Sequence, residues 1–199
     1  QKALLLNQKL SIRIVGLANS KRMIFNEKGI SLDDWQSLLL AGDPMDASNF
    51  VKKMYSINSR NSIFIDNTAN QNISNLYADI LNHAISISTP NKIASSSLYS
   101  NFLKLKKIAR KRSVHYLYET NVAAGLPILT TLEDLLNSGD KITKIQAVLS
   151  GSLSYIFNNF SDRQSFSNIV KKARELGLTE PDPRDDLSGS DVKRKVLIL

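Results

Sequence analysis

The sequence holds no cysteine and only two histidines, His83 and His115. Disulfide staples and thiolate metal sites are therefore excluded, and a reducing compartment is permitted. With no H-E-x-x-H pair, zinc hydrolase chemistry lacks its ligands. No apolar run approaches the roughly 18 residues that a transmembrane helix needs, so no membrane partner is expected. The apolar stretch Ala3–Leu6 is too short for the core of a signal peptide, and the expected location is the cytoplasm. None of the eight glycines falls into a G-x-G-x-x-G run, so the usual pyrophosphate-cradling turn is missing from this stretch of chain.

What is present suits a globular protein. At 199 residues the chain can form one large domain or two modest ones, and 42% hydrophobic with 22% charged residues is ordinary for a soluble core. The formal net charge is +8, with the densest basic run at Lys104, Lys106, Lys107, Arg110, Lys111 and Arg112. Leu103, Leu105 and Ile108 interleave with it at helical spacing, and no aromatic residue is placed for base stacking. The run therefore reads as a solvated helix face rather than a nucleic-acid patch. The general basicity suits an anionic cofactor. The chain starts at Gln1 and stops inside an apolar helical pattern, so it reads as a fragment of a longer protein, cut at both ends.

Residues 10–18 predict a strand, 31–40 and 46–55 helices, 62–66 a strand, 71–83 an amphipathic helix, 84–87 a strand, 98–111 a helix and 114–118 a strand. This alternation predicts a parallel α/β sheet, with ligand beyond the carboxyl ends of its strands. Those ends carry Asn19-Ser20, Asp66-Asn67-Thr68, Thr89-Pro90-Asn91-Lys92 and Glu119-Thr120-Asn121. A small-residue connector from Val122 to Pro127 predicts a domain boundary, giving parts 1–121 and 122–199. The second part predicts helices over 129–136, 152–160, 165–175 and from 188 onward, and a strand over 141–149.

Most of the chemistry lies in Gly177-Leu-Thr-Glu-Pro-Asp-Pro-Arg-Asp-Asp-Leu-Ser-Gly-Ser-Asp-Val-Lys-Arg-Lys195. Pro181 and Pro183 are expected to keep its start out of helix. Asp191 and Lys195 stand four apart, so they share one helix face and can pair. A carboxylate-held ammonium stays charged and oriented. Carbonyl reduction needs such a group to donate a proton as an alkoxide develops, and spare carboxylates can hold a substrate ammonium. A salt-bridged, solvated helix start would use the same residues.

This segment resembles the signature of homoserine dehydrogenases. Thr89-Pro90-Asn91-Lys92, Asn121-Val-Ala-Ala-Gly-Leu-Pro127 and Leu149-Ser-Gly-Ser-Leu-Ser-Tyr-Ile-Phe157 resemble the same family in the same order. The resemblance covers essentially the whole chain. Gly16-Leu-Ala-Asn-Ser-Lys21, with Trp35, looks most like the dehydrogenase half of bifunctional aspartokinase–homoserine dehydrogenases.

The resemblance implies a partial Rossmann-type nucleotide-binding domain followed by a partial α/β substrate and catalytic domain. It implies NADP- or NAD-dependent interconversion of L-homoserine and L-aspartate 4-semialdehyde. Lys195 would donate the proton, Asp191 would orient it and touch substrate, and Lys92 would sit where cofactor and substrate meet. Glu180 would bind the substrate amino group, Asp186 would support it, and Gly151 and Ser152 would lie near the substrate carboxylate. Asn19, Ser20, Thr68, Ala69 and Gly177 would line the dinucleotide. Lys21, with Arg22, could pair with a 2′-phosphate. A monovalent cation such as sodium would use the Glu119 carboxylate and the carbonyls of Val122, Ala124 and Leu126. A homo-oligomer, dimeric or higher, is implied for the full-length protein.

Two departures stand out. The glycine-rich loop of the family is expected upstream of Gln1, with residues 1–8 as the tail of its helix. Ala123 stands where the family usually has glycine, which would strain the chain if that position requires positive φ. The isolated fragment is accordingly expected to be poorly active. The alternative to an enzyme is an inactive paralogue serving as a binding or regulatory module. Intact Glu180, Asp191, Lys92 and Lys195 argue against it.

Overall fold

The computed structural model describes residues 2–161, 164–179 and 182–199 and divides into two compact units, Gln1–Ser62 and Ile63–Leu199. In the first unit, α1 (Lys2–Gln8) precedes β1 (Gly16–Ala18), β2 (Arg22–Phe25), α2 (Trp35–Leu40), β3 (Asp43–Pro44) and α3 (Ala47–Ile57). The strand predicted over 10–18 pairs only from Gly16, and it does not enter a parallel sheet. Its partner is β2, antiparallel, with Gly16 opposite Phe25 and Ala18 opposite Met23. β3 then adds to β2, also antiparallel.

The reversal is local chemistry. Asn19 Oδ1 accepts from the Lys21 and Arg22 amides, both at 2.8 Å, while Asn19 N donates to Arg22 O at 2.9 Å. A polar pair between two β-prone runs is a hairpin signal, and here it overrides the βα alternation. Met23, Ile30, Leu39 and Val51 are buried in this unit, and α3 is capped by Asp46, which accepts from Asn49 N.

The second unit carries the parallel sheet. Its strands β4 (Ile63–Ile65), β5 (Ser86–Ser88) and β6 (Tyr116–Leu117) run in that order, with Phe64 beside Ile87 and Ile87 beside Tyr116. The helix predicted over 71–83 breaks at Asn75-Leu76 into α4 (Gln71–Ser74) and α5 (Tyr77–Asn82). A short α6 (Lys92–Ser95), which the periodicity missed, is followed by α7 (Tyr99–Arg112). Tyr77, Ile80 and Leu81 of α5 are buried with Ile87 of β5, and Leu105 and Ala109 of α7 are buried too.

Beyond a 3-10 turn at Glu119–Asn121 come α8 (Ile128–Asn137), α9 (Gly151–Asn159), α10 (Phe166–Glu175), α11 (Pro183–Leu187) and α12 (Ser190–Ile198). Ile156 of α9 and Ile169 and Ala173 of α10 form a buried cluster, with Tyr155 and Val170 against it. The strand predicted over 141–149 does not form. Its residues Ile142, Ile145 and Val148 are all exposed. No strand among the described residues pairs with it. Pro183 is likewise not excluded from helix. It occupies the first turn of α11, where its missing N–H has no helical acceptor to serve.

Ala123 and Ala124 both adopt left-handed conformations, with φ of 58° and 52°. The strain anticipated at Ala123 is therefore present. Replacing Ala123 by glycine relieves the Cβ clash at the cost of greater unfolded-chain freedom, for a net stabilisation of about 0.5–1 kcal/mol. A thermal melt should show Tm rising by about 1–4 °C. An unchanged or lower Tm would refute strain at this position.

Candidate active site

The carboxyl ends of β4, β5 and β6 converge on a buried polar network. Asp66, just past β4, is 2% exposed. Its Oδ1 accepts from Thr68 N at 2.8 Å, and its Oδ2 from Tyr77 Oη at 2.6 Å and Asn91 Nδ2 at 3.0 Å. Thr89, just past β5, donates its hydroxyl to the Asp66 carbonyl at 2.7 Å and accepts from Asn91 N at 2.9 Å. Asn121 donates its amide to the Pro90 and Thr89 carbonyls at 2.9 and 3.1 Å and accepts from Ser95 Oγ at 2.6 Å. Burial, followed by the hydrogen bond to Asp66, pushes the Tyr77 phenol above its ordinary range, so it stays a donor. Sequence reading flagged these loops as polar strand ends but did not foresee the network. The Asp66-Asn67-Thr68 run after a strand was the available signal, since Asp there bonds the amide two residues on.

The network presents Lys92. Asn91 caps α6, accepting from Ile93 N at 3.0 Å, and Lys92 is the first helical residue. Lys92 Nζ lies 3.2 Å from Asp191 Oδ1, and Lys195 Nζ lies 2.8 Å from Asp191 Oδ2. One carboxylate on the first turn of α12 thus bridges two ammonium groups. Burial alone would raise the Asp191 carboxyl, but the hydrogen bond from Lys195 and the charge of Lys92 outweigh it and hold it below the usual range. Lys195 Nζ also donates to Leu149 O at 2.6 Å, a backbone partner that no side-chain pattern could reveal. Arg194 donates to Ser96 Oγ at 3.1 Å, tying α12 to the residue that follows α6.

An open cleft of about 640 Å³ lies beside this cluster, lined by Asp191, Lys195, Asp186, Ser152, Gly151 and Tyr155 among others. Ser152 Oγ donates to Asp186 Oδ1 at 2.6 Å and lies 2.9 Å from Ser150 Oγ, which caps α9 by accepting from Leu153 N. Gly151 opens α9, and a Cβ built there would meet nothing within 4 Å. The cleft is therefore lined by one ammonium group, two carboxylates, three serine hydroxyls and a helix N-terminus, with Lys92 joined to it through Asp191. That set can orient a zwitterionic amino acid and pass a proton to a carbonyl oxygen. Glu180 lies outside the described residues.

The residues expected at the cofactor belong to different elements. Asn19, Ser20 and Lys21 form the β1–β2 hairpin turn of the first unit rather than the end of a parallel strand. Thr68 and Ala69 lie in the loop after β4, where Thr68 Oγ1 accepts from Asn70 N at 3.1 Å. Gly177, with φ of +69°, closes α10: its N–H bonds Arg174 O at 2.9 Å and Leu178 N bonds Ala173 O at 3.0 Å. That is the two-bond helix ending which favours glycine.

Glu119 caps α8. Its Oε1 accepts from Leu129 N at 2.8 Å, and its Oε2 from Thr130 N at 2.9 Å and Thr130 Oγ1 at 2.5 Å. Burial would push this carboxyl up, but the Thr130 hydroxyl and the helix amides outweigh it and hold it down. Glu119→Ala should cost about 1 kcal/mol of stability at neutral pH. Because the folded carboxyl is depressed, that contribution is complete above the ordinary carboxylate range and is lost as pH falls through the lowered value. Urea titrations of both proteins should converge in strongly acidic buffer; a constant gap would contradict the charged-cap account.

A parallel sheet flanked by helices, with a strand-end loop feeding a lysine–carboxylate–lysine cluster, places the chain in the α/β class. The family profile "Homoserine dehydrogenase, NAD binding domain" matches residues 2–119, and "Homoserine dehydrogenase" matches residues 127–199. The chain belongs to the homoserine dehydrogenase family. It is 44% identical over 195 residues to "Bifunctional aspartokinase/homoserine dehydrogenase 2, chloroplastic" of Zea mays, covering 97% of this chain and 21% of that protein. It is 42% identical over 178 residues to the homoserine dehydrogenase of Schizosaccharomyces pombe, covering 85% of this chain and 46% of that protein. The fold matches a hyperthermophilic archaeal homoserine dehydrogenase solved in complex with NADPH, with a TM-score of 0.79 and 22% identity, over 99% of this chain and 63% of that one. The chain thus spans between about a fifth and a half of the length of these two curated relatives.

Proposed function

We propose that the full-length protein interconverts L-homoserine and L-aspartate 4-semialdehyde with NADP or NAD, a step of amino-acid biosynthesis leading toward threonine and methionine. The observation that carries this reading is the Lys92–Asp191–Lys195 cluster beside the open cleft. Lys195 donates a proton to the aldehyde oxygen during reduction and takes it back during oxidation, while Asp191 fixes its position. Lys92 adds a second positive charge where the oxygen becomes negative. Asp186 and Glu180 hold the substrate ammonium, and Ser152 with the amide of Gly151 faces its carboxylate.

The chain's own residues fit an anionic dinucleotide: two ammonium groups lie close to the loops at the carboxyl ends of a parallel sheet. When bound, the nicotinamide supplies or accepts the hydride. Asn19, Ser20, Lys21, Thr68, Ala69, Lys92 and Gly177 are the residues proposed to hold this cofactor, with Lys21 favouring a 2′-phosphate. An ionised Glu119 beside a turn bent by left-handed Ala123 and Ala124 is compatible with a monovalent cation such as sodium. The carbonyls of Val122, Ala124 and Leu126 would complete its ligands. The division into a nucleotide part, 1–121, and a substrate part, 122–199, is supported by profile matches that end at 119 and resume at 127. A homo-oligomer in the cytoplasm completes the proposal. No helix among the described residues is long and apolar enough to cross a membrane.

The test is a spectrophotometric assay of the full-length protein for homoserine-dependent reduction of NADP and of NAD. Turnover specific to homoserine is the expected result. A folded protein that turns over with neither cofactor would favour a binding or regulatory module instead.

A further inference from the structure

We propose that Asp66 is a positioning residue that holds the Thr68 loop and the Lys92 helix in a single arrangement; this rests on the homoserine dehydrogenase activity proposed above. Among the described residues no lysine or arginine pairs with Asp66, although its carboxylate is almost fully buried. A buried polar group is costly unless hydrogen bonds satisfy it, and three donors reach this carboxyl group. Those donors come from separate elements: the Thr68 amide from the loop after β4, the Tyr77 hydroxyl from α5 and the Asn91 amide from the cap of α6.

The α6 helix spans only Lys92–Ser95, too short to hold its own direction. Its direction comes from Asn91, whose side chain uses Oδ1 on Ile93 N and Nδ2 on Asp66 and on Asn70 O. The chain of contacts therefore runs from Asp66 through Asn91 to Lys92, and from Lys92 Nζ to Asp191 at 3.2 Å. The same carboxylate anchors Thr68, so one group sets both the loop proposed to meet the cofactor and the lysine beside it. Asparagine at 66 cannot do this. It offers one acceptor oxygen, and its NH₂ would face either the Thr68 N–H or the Asn91 NH₂, two donors opposed.

The experiment is a double-mutant cycle in the full-length protein: wild type, Asp66→Asn, Lys92→Ala and the pair, each assayed for kcat with homoserine and NADP. Asp66→Asn is expected to lower kcat by about tenfold with Lys92 present and by less than about twofold in the Lys92→Ala background. A purely structural role would give the same fold-loss in both backgrounds, and that result, or no loss in either, overturns the proposal. Should Asp66→Asn fail to fold, Asn91→Ala takes its place in the same cycle, since it leaves the carboxylate its Tyr77 and Thr68 donors. Wild-type turnover with equal losses removes the Asp66 role alone. Absence of homoserine turnover in the wild type removes the activity and this role together.

Discussion

Lys195→Ala in the full-length protein is expected to lower kcat for homoserine oxidation by about 10²-fold or more, with a smaller change in KM. The side chain is 19% exposed and held at two points, by Asp191 at 2.8 Å and by the Leu149 carbonyl at 2.6 Å. An ammonium so constrained delivers its proton along a fixed line, and that orientation is realised in the transition state rather than in substrate binding. Alanine removes both proton and charge, so kcat and kcat/KM should fall together. A variant that retains more than about a third of wild-type kcat would move the acid to another group, and Lys92, which shares the same carboxylate, is the first to test.

Asp191→Asn should be nearly as damaging, with kcat down by about 10²-fold, because the carboxylate organises both lysines at once. Without it two ammonium groups are left close together with no anion between them, and mutual repulsion drives them from their positions. The variant also carries a pH signature in stability. The folded Asp191 carboxyl is depressed, so its contribution is fully present above the ordinary carboxylate range and disappears as pH falls through the lowered value. Wild type should therefore be the more stable at neutral pH, with the gap closing in acid. A kcat within about threefold of wild type would show that the lysines are placed by their other contacts.

The two arms of this site were legible to different degrees. Asp191 and Lys195 were readable as a pair because i,i+4 spacing on a helix is a local property, and the pair forms. Lys92 was placed where cofactor and substrate meet only by resemblance, and its pairing with Asp191 came from the structure, since nothing in its own loop points to α12. The Ser152–Asp186 bond joins α9 to α11 in the same way. The role of Leu149 was invisible, because a carbonyl belongs to every residue. Asp66 was read only as a polar strand end, yet burial makes it the centre of a network.

The fold divides along the same line. Strands β4 and β5 and the helices around Asn49, Phe102, Leu153 and Ile169 were all within reach of the sequence. Each depends on periodicity, caps or steric limits that act over a few residues. Only the tertiary structure decided that β1 turns back antiparallel, that the segment over 141–149 pairs with no strand among the described residues and that two distant lysines share one aspartate. Strand partners and ion-pair partners are chosen by packing between segments far apart in the chain, and no local pattern encodes that choice.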